Sequence, residues 1–270
     1  MYSKAEVIDF IKTYGALILS VIAIVQVWVI ALVKKYRKGK IDIFETAWIE
    51  IGLAGFGPAI NLNGTLRAHR KDVFVHEVSL HLIRESDGAA FQLGWIAFKA
   101  PQMKIGDPMA TTVELPSGII VREGQPFRYS IVFCDKQVFA SLQRQLSLVL
   151  NEWKQFVEER QAKIQKALKT TNENSLSEQL FREFVQASET VQSTLDFHES
   201  VNWWKAGKYR IRMDVKASSP DKTFSEEWAF LLDEESCEKL RANTMATLRE
   251  VCLGKLEYFS VNADYMPTGN

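Results

Sequence analysis

Three patterns of apolar and polar residues follow one another along the chain. The first has no period. From Gly15 to Val33, nineteen residues (GALILSVIAIVQVWVIALV) carry no charge, and only Ser20 and Gln26 interrupt them with polar side chains. Coiled as a helix they cover about 28 Å, close to the hydrocarbon core of a bilayer. Apolar residues fall on every face, whereas a soluble helix keeps a polar stripe. The segment is therefore expected to cross a membrane at 15–33, leaving a short N-terminus at 1–14. A cleaved signal peptide fits less well. The start mixes Lys4, Glu6, Asp9 and Lys12, and lysines follow Val33 where a small-residue cleavage site would stand.

The second pattern has period two and runs from residue 42 to 134. Phe74, Val78, Leu80 and Leu82 share one parity against Glu77, Ser79 and His81, as in a half-buried strand. Ile60, Leu62 and Leu66 alternate with Asn61, Asn63, Thr65 and Arg67, and Phe91, Leu93, Trp95 and Ala97 make another row. Phe127, Tyr129, Ile131 and Phe133 make a fourth, against Arg128 and Ser130. Turn residues separate the rows at 55–58, 86–88, 104–108, 116–118 and 123–125. Asn63-Gly64-Thr65 is a glycosylation sequon, read here as a turn within a strand region. Gly52 to Pro58 (GLAGFGP) has the glycine density of a phosphate loop but no Lys-Ser/Thr. Strand-like alternation follows Pro58, so these glycines predict a bent strand or hairpin turn.

The third pattern is helical. Phe139, Leu142, Leu146, Val149, Trp153 and Phe156 are spaced by three and four, and the stripe continues through Ile164 and Leu168. A polar break at 169–175 precedes a second stripe of Leu180, Phe184, Ala187, Val191 and Leu195. The two read as an antiparallel helical hairpin over 138–200. Alternation then returns, with Tyr209, Ile211, Met213 and Val215 opposed to Arg210, Arg212, Asp214 and Lys216. After a loop at 218–222 the partner strand holds Phe224, Trp228, Phe230 and Leu232. A last helix is bounded by Asp233 as N-cap, Glu234 and Glu235 in its first turn, and Gly254 past its end.

The expected fold is mainly β with a helical insertion: a transmembrane helix, then an immunoglobulin-like antiparallel β-sandwich interrupted by a long helical hairpin, then a C-terminal helix. A basic collar occupies 34–41 and the sandwich 42–137 and 201–233. The last helix takes 234–254 and a tail 255–270. Gly207-Lys208-Tyr209 entering a strand is similar to the tyrosine corner of immunoglobulin-like sandwiches.

Charge sharpens the topology. The 33 basic and 33 acidic residues cancel, which disfavours nucleic acid as a partner. The cancellation hides a split. Residues 1–40 hold seven basic and two acidic residues, which leaves 26 against 31 in the remainder. Lys34, Lys35, Arg37, Lys38 and Lys40 crowd the C-terminal flank of the apolar run. The positive-inside rule then places the N-terminus outside and the domain in the cytoplasm. The same five residues are the expected contacts to anionic lipid headgroups. Three cysteines, none in a C-x-x-C spacing, predict neither a disulfide scaffold nor a thiolate zinc site and suit a reducing compartment.

Motifs for chemistry are sparse. There is no G-x-S-x-G, no H-E-x-x-H and no P-loop, so no catalytic, cofactor or metal residue is assigned. His76 and His81 differ by an odd number and should face opposite sides of a strand, while Glu77 and His81 lie about 13 Å apart along it. His69 stands in a basic run, and His198 near Trp203-Trp204 has a hinge or packing role. Two features point to binding: the apolar stripes of the hairpin, with Trp153 and Phe156, and the adjacent Trp203 and Trp204, of which one can anchor a partner. The function expected is that of a membrane-anchored adaptor, sensor or assembly component that contacts another protein or itself. The alternative is a membrane-anchored hydrolase with His69, His76 or His81 brought to carboxylates such as Glu77 or Glu85 by the fold.

Overall fold

A computed structural model describes residues 4–36, 38–102, 110–160, 173–218, 221–255 and 258–266. The element order is α1 (Lys4–Tyr36), β1 (Lys40–Ala54), β2 (Gly57–His69), β3 (Val73–Arg84), β4 (Ala90–Gln102), β5 (Ala110–Glu114), β6 (Ile119–Val121) and β7 (Phe127–Cys134). It continues with α2 (Lys136–Glu159), α3 (Glu173–Ala187), α4 (Glu189–Val201), β8 (Gly207–Ser218), β9 (Asp221–Leu232), α5 (Glu234–Leu253) and β10 (Val261–Asp264). Several sequence expectations lie outside the described residues: Ile164, Leu168, the start of the 169–175 break, the 104–108 turn, Arg37 and Ser219-Pro220. Among the described residues no helix is long and apolar enough to cross a membrane.

The strands form one antiparallel sheet in the order β10-β1-β2-β7-β4-β3-β8-β9, with β5 beside β4 and β6 beside β3. The antiparallel, β-rich architecture expected from the alternation is present, as a half-barrel of ten strands in one hydrogen-bonded sheet. Its two ends meet. Ala229 of β9 and Met266, just past β10, exchange backbone hydrogen bonds of 3.2 and 2.7 Å. One apolar core fills the concave side, drawing Ile49, Ile51 and Leu53 from β1, Ile60 and Leu62 from β2, Phe133 from β7 and Tyr209 and Phe230 from the last hairpin. Each fully buried Ile, Leu or Phe adds about 1.5–3 kcal/mol.

Bulges rewrite the parity in two strands. The pairing of β3 with β8 shifts register between Val75 and Glu77, so Val73 and Val75 point inward before the shift and Val78, Leu80 and Leu82 after it. Phe74, expected inside, is therefore outside, and His76 and His81, expected on opposite faces, both reach solvent. In β4 a shift between Trp95 and Ala97 leaves Trp95 in the core and puts Ala97 in a small cluster on the convex side, with Ala59, Val132 and Cys134. An inserted residue turns every later side chain to the other face.

Gly64 is no turn. It lies within β2, bonded to β1 and β7 on either side, and a Cβ there would stand 2.4 Å from the Tyr129 hydroxyl. The glycine makes room for the tyrosine ring. The 52–58 stretch is a hairpin joining β1 to β2, with Gly57 at φ +72°.

Helices α2 to α4 and the C-terminal part of α5 stack on the convex side, while Cys237 and Leu240 near the start of α5 join the main core. Asp135 caps α2 by accepting from the backbone of Gln137 and Val138. Its stripe of Leu142, Leu146, Val149, Trp153 and Phe156 is buried against Phe181, Phe184, Val191 and Leu248. The second stripe of the expected hairpin is two helices, because Ser188 leaves helical geometry and accepts from Val191 N at 3.1 Å. A serine hydroxyl that caps a new helix ends the old one. Asp233 caps α5 as expected, and Gly254 ends it at φ +68°.

Candidate functional site

Between the convex face of the sheet and the helices lies a groove of about 960 Å³. Its floor comes from the residues of β1, β2, β7 and β4 whose parity points away from the core. Glu50 and Gly52 alternate with the buried Ile49, Ile51 and Leu53, and Asn61 alternates with Ile60 and Leu62. One wall is α2, through Gln143, Leu146, Ser147 and Leu150. The other is the end of α5, through Glu250 and Val251, with Tyr258 to Ser260 beyond it.

The floor carries a charged row. Lys99 of β4 reaches Glu50 of β1 at 3.0 Å, Asn61 donates to the same carboxylate at 2.7 Å, and Ser130 of β7 donates to Asn61 at 3.2 Å. Four adjacent strands thus contribute one polar line in a mostly apolar surround. The 258–260 wall is fixed by Asn243, itself buried. It accepts from Phe259 N at 2.7 Å and donates to Phe259 O at 2.6 Å. Gln143 holds the opposite rim by donating to Gly55 O at 2.8 Å.

Two residues shape what the groove can take. Gly52 has no heavy atom within 4 Å of where a Cβ would sit, so the missing side chain deepens the floor. Glu250 lies on the wall, and burial raises its carboxyl above the ordinary glutamate value. Among the described residues no cation pairs with it, and a carboxyl so placed in a largely apolar cleft favours a ligand that brings one. Cys134 and Cys252 lie outside the groove lining. Ser147 donates to the Gln143 backbone, and burial pushes the thiols of Cys134 and Cys252 up to about 12. The arrangement suits binding.

The histidines do not converge. His69 Nε2 is 2.8 Å from Asp42, and His81 Nε2 is 3.2 Å from Asp214 on a different strand pair. His198 is buried, with Nδ1 2.9 Å from the Thr244 hydroxyl. Glu77 pairs with Lys216, and Glu85 with Lys208 and Arg210. Asp214 gathers His81, Arg212 and Ser225, but Ser225 donates to the aspartate at 2.7 Å and not to the histidine. A serine hydrolase needs the imidazole between the two. Among the described residues no group of three His, Cys, Asp or Glu side chains could hold a metal.

The aromatic anchors expected from the sequence are mostly internal. Trp153 and Phe156 are buried between the helices, where Trp153 packs within 5.2 Å of Phe184. Trp204 is 1% exposed, and its indole donates to Gly52 O at 3.1 Å, directly beneath the groove floor. Trp203 is half-buried and stacks on Phe91 at 4.1 Å. Arg84, buried nearby, donates to Trp203 O at 2.5 Å and forks onto Asp87, whose carboxyl it holds down at about 2. Tyr209 completes this end: its hydroxyl donates to Lys205 O at 2.7 Å and accepts from Lys205 N at 3.0 Å. Of the collar, Lys38 and Lys40 are exposed and Lys40 pairs with Asp42. The side chains of Lys34, Lys35 and Arg37 lie outside the described residues.

Sequence reasoning passed over the groove because its residues look ordinary. Glu50, Asn61, Lys99 and Glu250 lie in four separate elements, and only the sheet order brings them together. The one legible signal was their parity, opposite to the core on β1 and β2. No family model, curated protein or solved structure matches the chain.

Proposed function

We propose that the protein is a single-pass membrane-anchored interaction module, whose cytoplasmic β-domain holds a segment of a partner protein in the groove between sheet and helices. The observation that carries the binding reading is the groove itself: walls that mix Leu146, Leu150 and Val251 with polar side chains, a Glu50–Lys99–Asn61 floor and the carboxyl of Glu250. That chemistry fits an amphipathic segment presenting apolar side chains and one lysine or arginine. The anchor reading is supported by α1. Every described large apolar side chain of α1 from Leu17 to Val33 is about half exposed or more, a surface that water penalises and a bilayer accepts. The orientation is supported by the lysines after Val33 and by three free cysteines. The immunoglobulin-like reading is supported by the Tyr209 hydroxyl, bonded four residues back. The hydrolase alternative has no observation of its own among the described residues.

A photo-crosslinking residue at Leu150 tests the binding reading in the full-length chain in its own membrane. The expected result is an adduct with a second protein that is absent when the crosslinker sits at Leu231, an exposed residue of β9 outside the groove lining. An adduct only with another copy of the chain replaces the partner by self-association. No adduct from Leu150 removes the reading. Protease added to intact cells should leave residues 41–270 uncut, and digestion there reverses the topology.

A further inference from the structure

One end of the sheet gathers the start of β1, the β2–β3 turn, β6 and the tip of the β8–β9 hairpin. Lys40 pairs with His69, Val73 with Val121, and Ser218 with Asp221. This end carries apolar side chains that the fold leaves outside. Phe74 and Ile120 are cross-strand partners, 41% and 61% exposed, and Leu115, in the segment joining β5 to β6, is 83% exposed. The outward pose of Phe74 is built in: the bulge in β3 sets its parity, and its ring lies so close to Gly118 that a Cβ there would sit 2.3 Å from it. Arg70, Lys71 and Arg122 are exposed on the adjoining turns, against Asp72 and Glu123.

The chain itself says what covers this surface. Helix α1 ends at Tyr36 and β1 begins at Lys40. An extended chain spans at most about 3.6 Å per residue, so Lys40 lies within about 14 Å of Tyr36. Tyr36 is three helical residues, about 4.5 Å, beyond the last apolar residue of the run. The end of the sheet that starts β1 is thus tethered at headgroup range.

We infer that this end docks on the bilayer surface, with Phe74, Leu115 and Ile120 entering the headgroup layer and Arg70, Lys71 and Arg122 meeting anionic lipid. The inference rests on the anchor reading. An apolar tip rimmed by cations binds such an interface through area and charge together. Docking here fixes the domain's tilt and turns the groove and helices, which sit over the middle and far end of the sheet, away from the membrane.

The test uses the full-length chain in vesicles of equal parts phosphatidylcholine and phosphatidylglycerol. An environment-sensitive fluorophore is placed on Ile120→Cys, or on Leu115→Cys where the first variant folds poorly, with Cys252→Ser as background. Leu231→Cys, at the other end of the sheet, is the control. Bromine on the lipid chains near the headgroup should quench the label at 120 and not at 231. Failure of the chain to float with vesicles after alkaline washing overturns the anchor and the docking with it. Flotation with no quenching at 120 or 115 overturns the docking alone, as does protection of those labels only on adding protein.

Discussion

The concave and convex faces of the sheet are made by alternate residues of the same strands, yet they do different work. The concave face is apolar from edge to edge and closed by the contact of Ala229 with Met266. The convex face is half covered by helices and keeps a charged row under an open groove. In β1, Ile49 and Ile51 serve the first and Glu50 and Gly52 the second. A period of two therefore gives one strand two faces: Ile49 and Ile51 in the core on one, Glu50 and Gly52 on the groove floor on the other.

That division can be broken from either side. The largest effect is expected on the concave face, where Phe133→Ala should cost about 3–5 kcal/mol in a denaturant melt. A loss well under that would mean the core is looser than its burial implies. At the edge of that core, Tyr209→Phe removes a hydroxyl that both donates to and accepts from Lys205, and should cost about 1–3 kcal/mol. On the convex face, Lys99→Met leaves Glu50 with Asn61 alone, in a site water still reaches, and should cost about 1 kcal/mol.

The smallest stability effect concerns Glu250 and depends on pH. Its carboxyl titrates above the ordinary 4.5 because of burial, so the folded state holds the proton more tightly than the unfolded one. Stability from this group is then full below about 4.5 and declines as pH rises through the raised value. Glu250→Gln should melt slightly higher than the parent at neutral pH and equal it at low pH. A variant that melts lower at neutral pH would show that the carboxylate has a cation of its own.

Much of the architecture was legible in the chain. The rows 60–66 and 127–133, the stripe 142–156 and the caps at Asp233 and Gly254 are where their patterns put them. Those patterns are local, and helix caps and unbroken strands obey local rules. What failed to show was non-local or one residue wide. A single bulge residue in β3 moved Phe74 outward, and nothing in the FVHEV stretch announces it. The break at Ser188 is one hydroxyl choosing a new helix over the old. Trp153, Phe156 and Trp204 looked like surface anchors because an apolar stripe does not say what covers it. The groove needed the order β1-β2-β7-β4, which joins residues 50, 61, 130 and 99 across nearly a third of the chain.

The central claim is that the convex groove binds, and Gly52 allows it to be tested with little damage to the fold. A side chain at this strand position meets no atom within 4 Å of its Cβ, so Gly52→Leu should change stability by no more than about 0.5 kcal/mol while filling the floor. Crosslinking from Leu150 in the full-length Gly52→Leu protein is then the decisive measurement. The account predicts that the partner adduct disappears while the melting curve stays in place. An adduct undiminished beside an unchanged melt would contradict it and move recognition off this face.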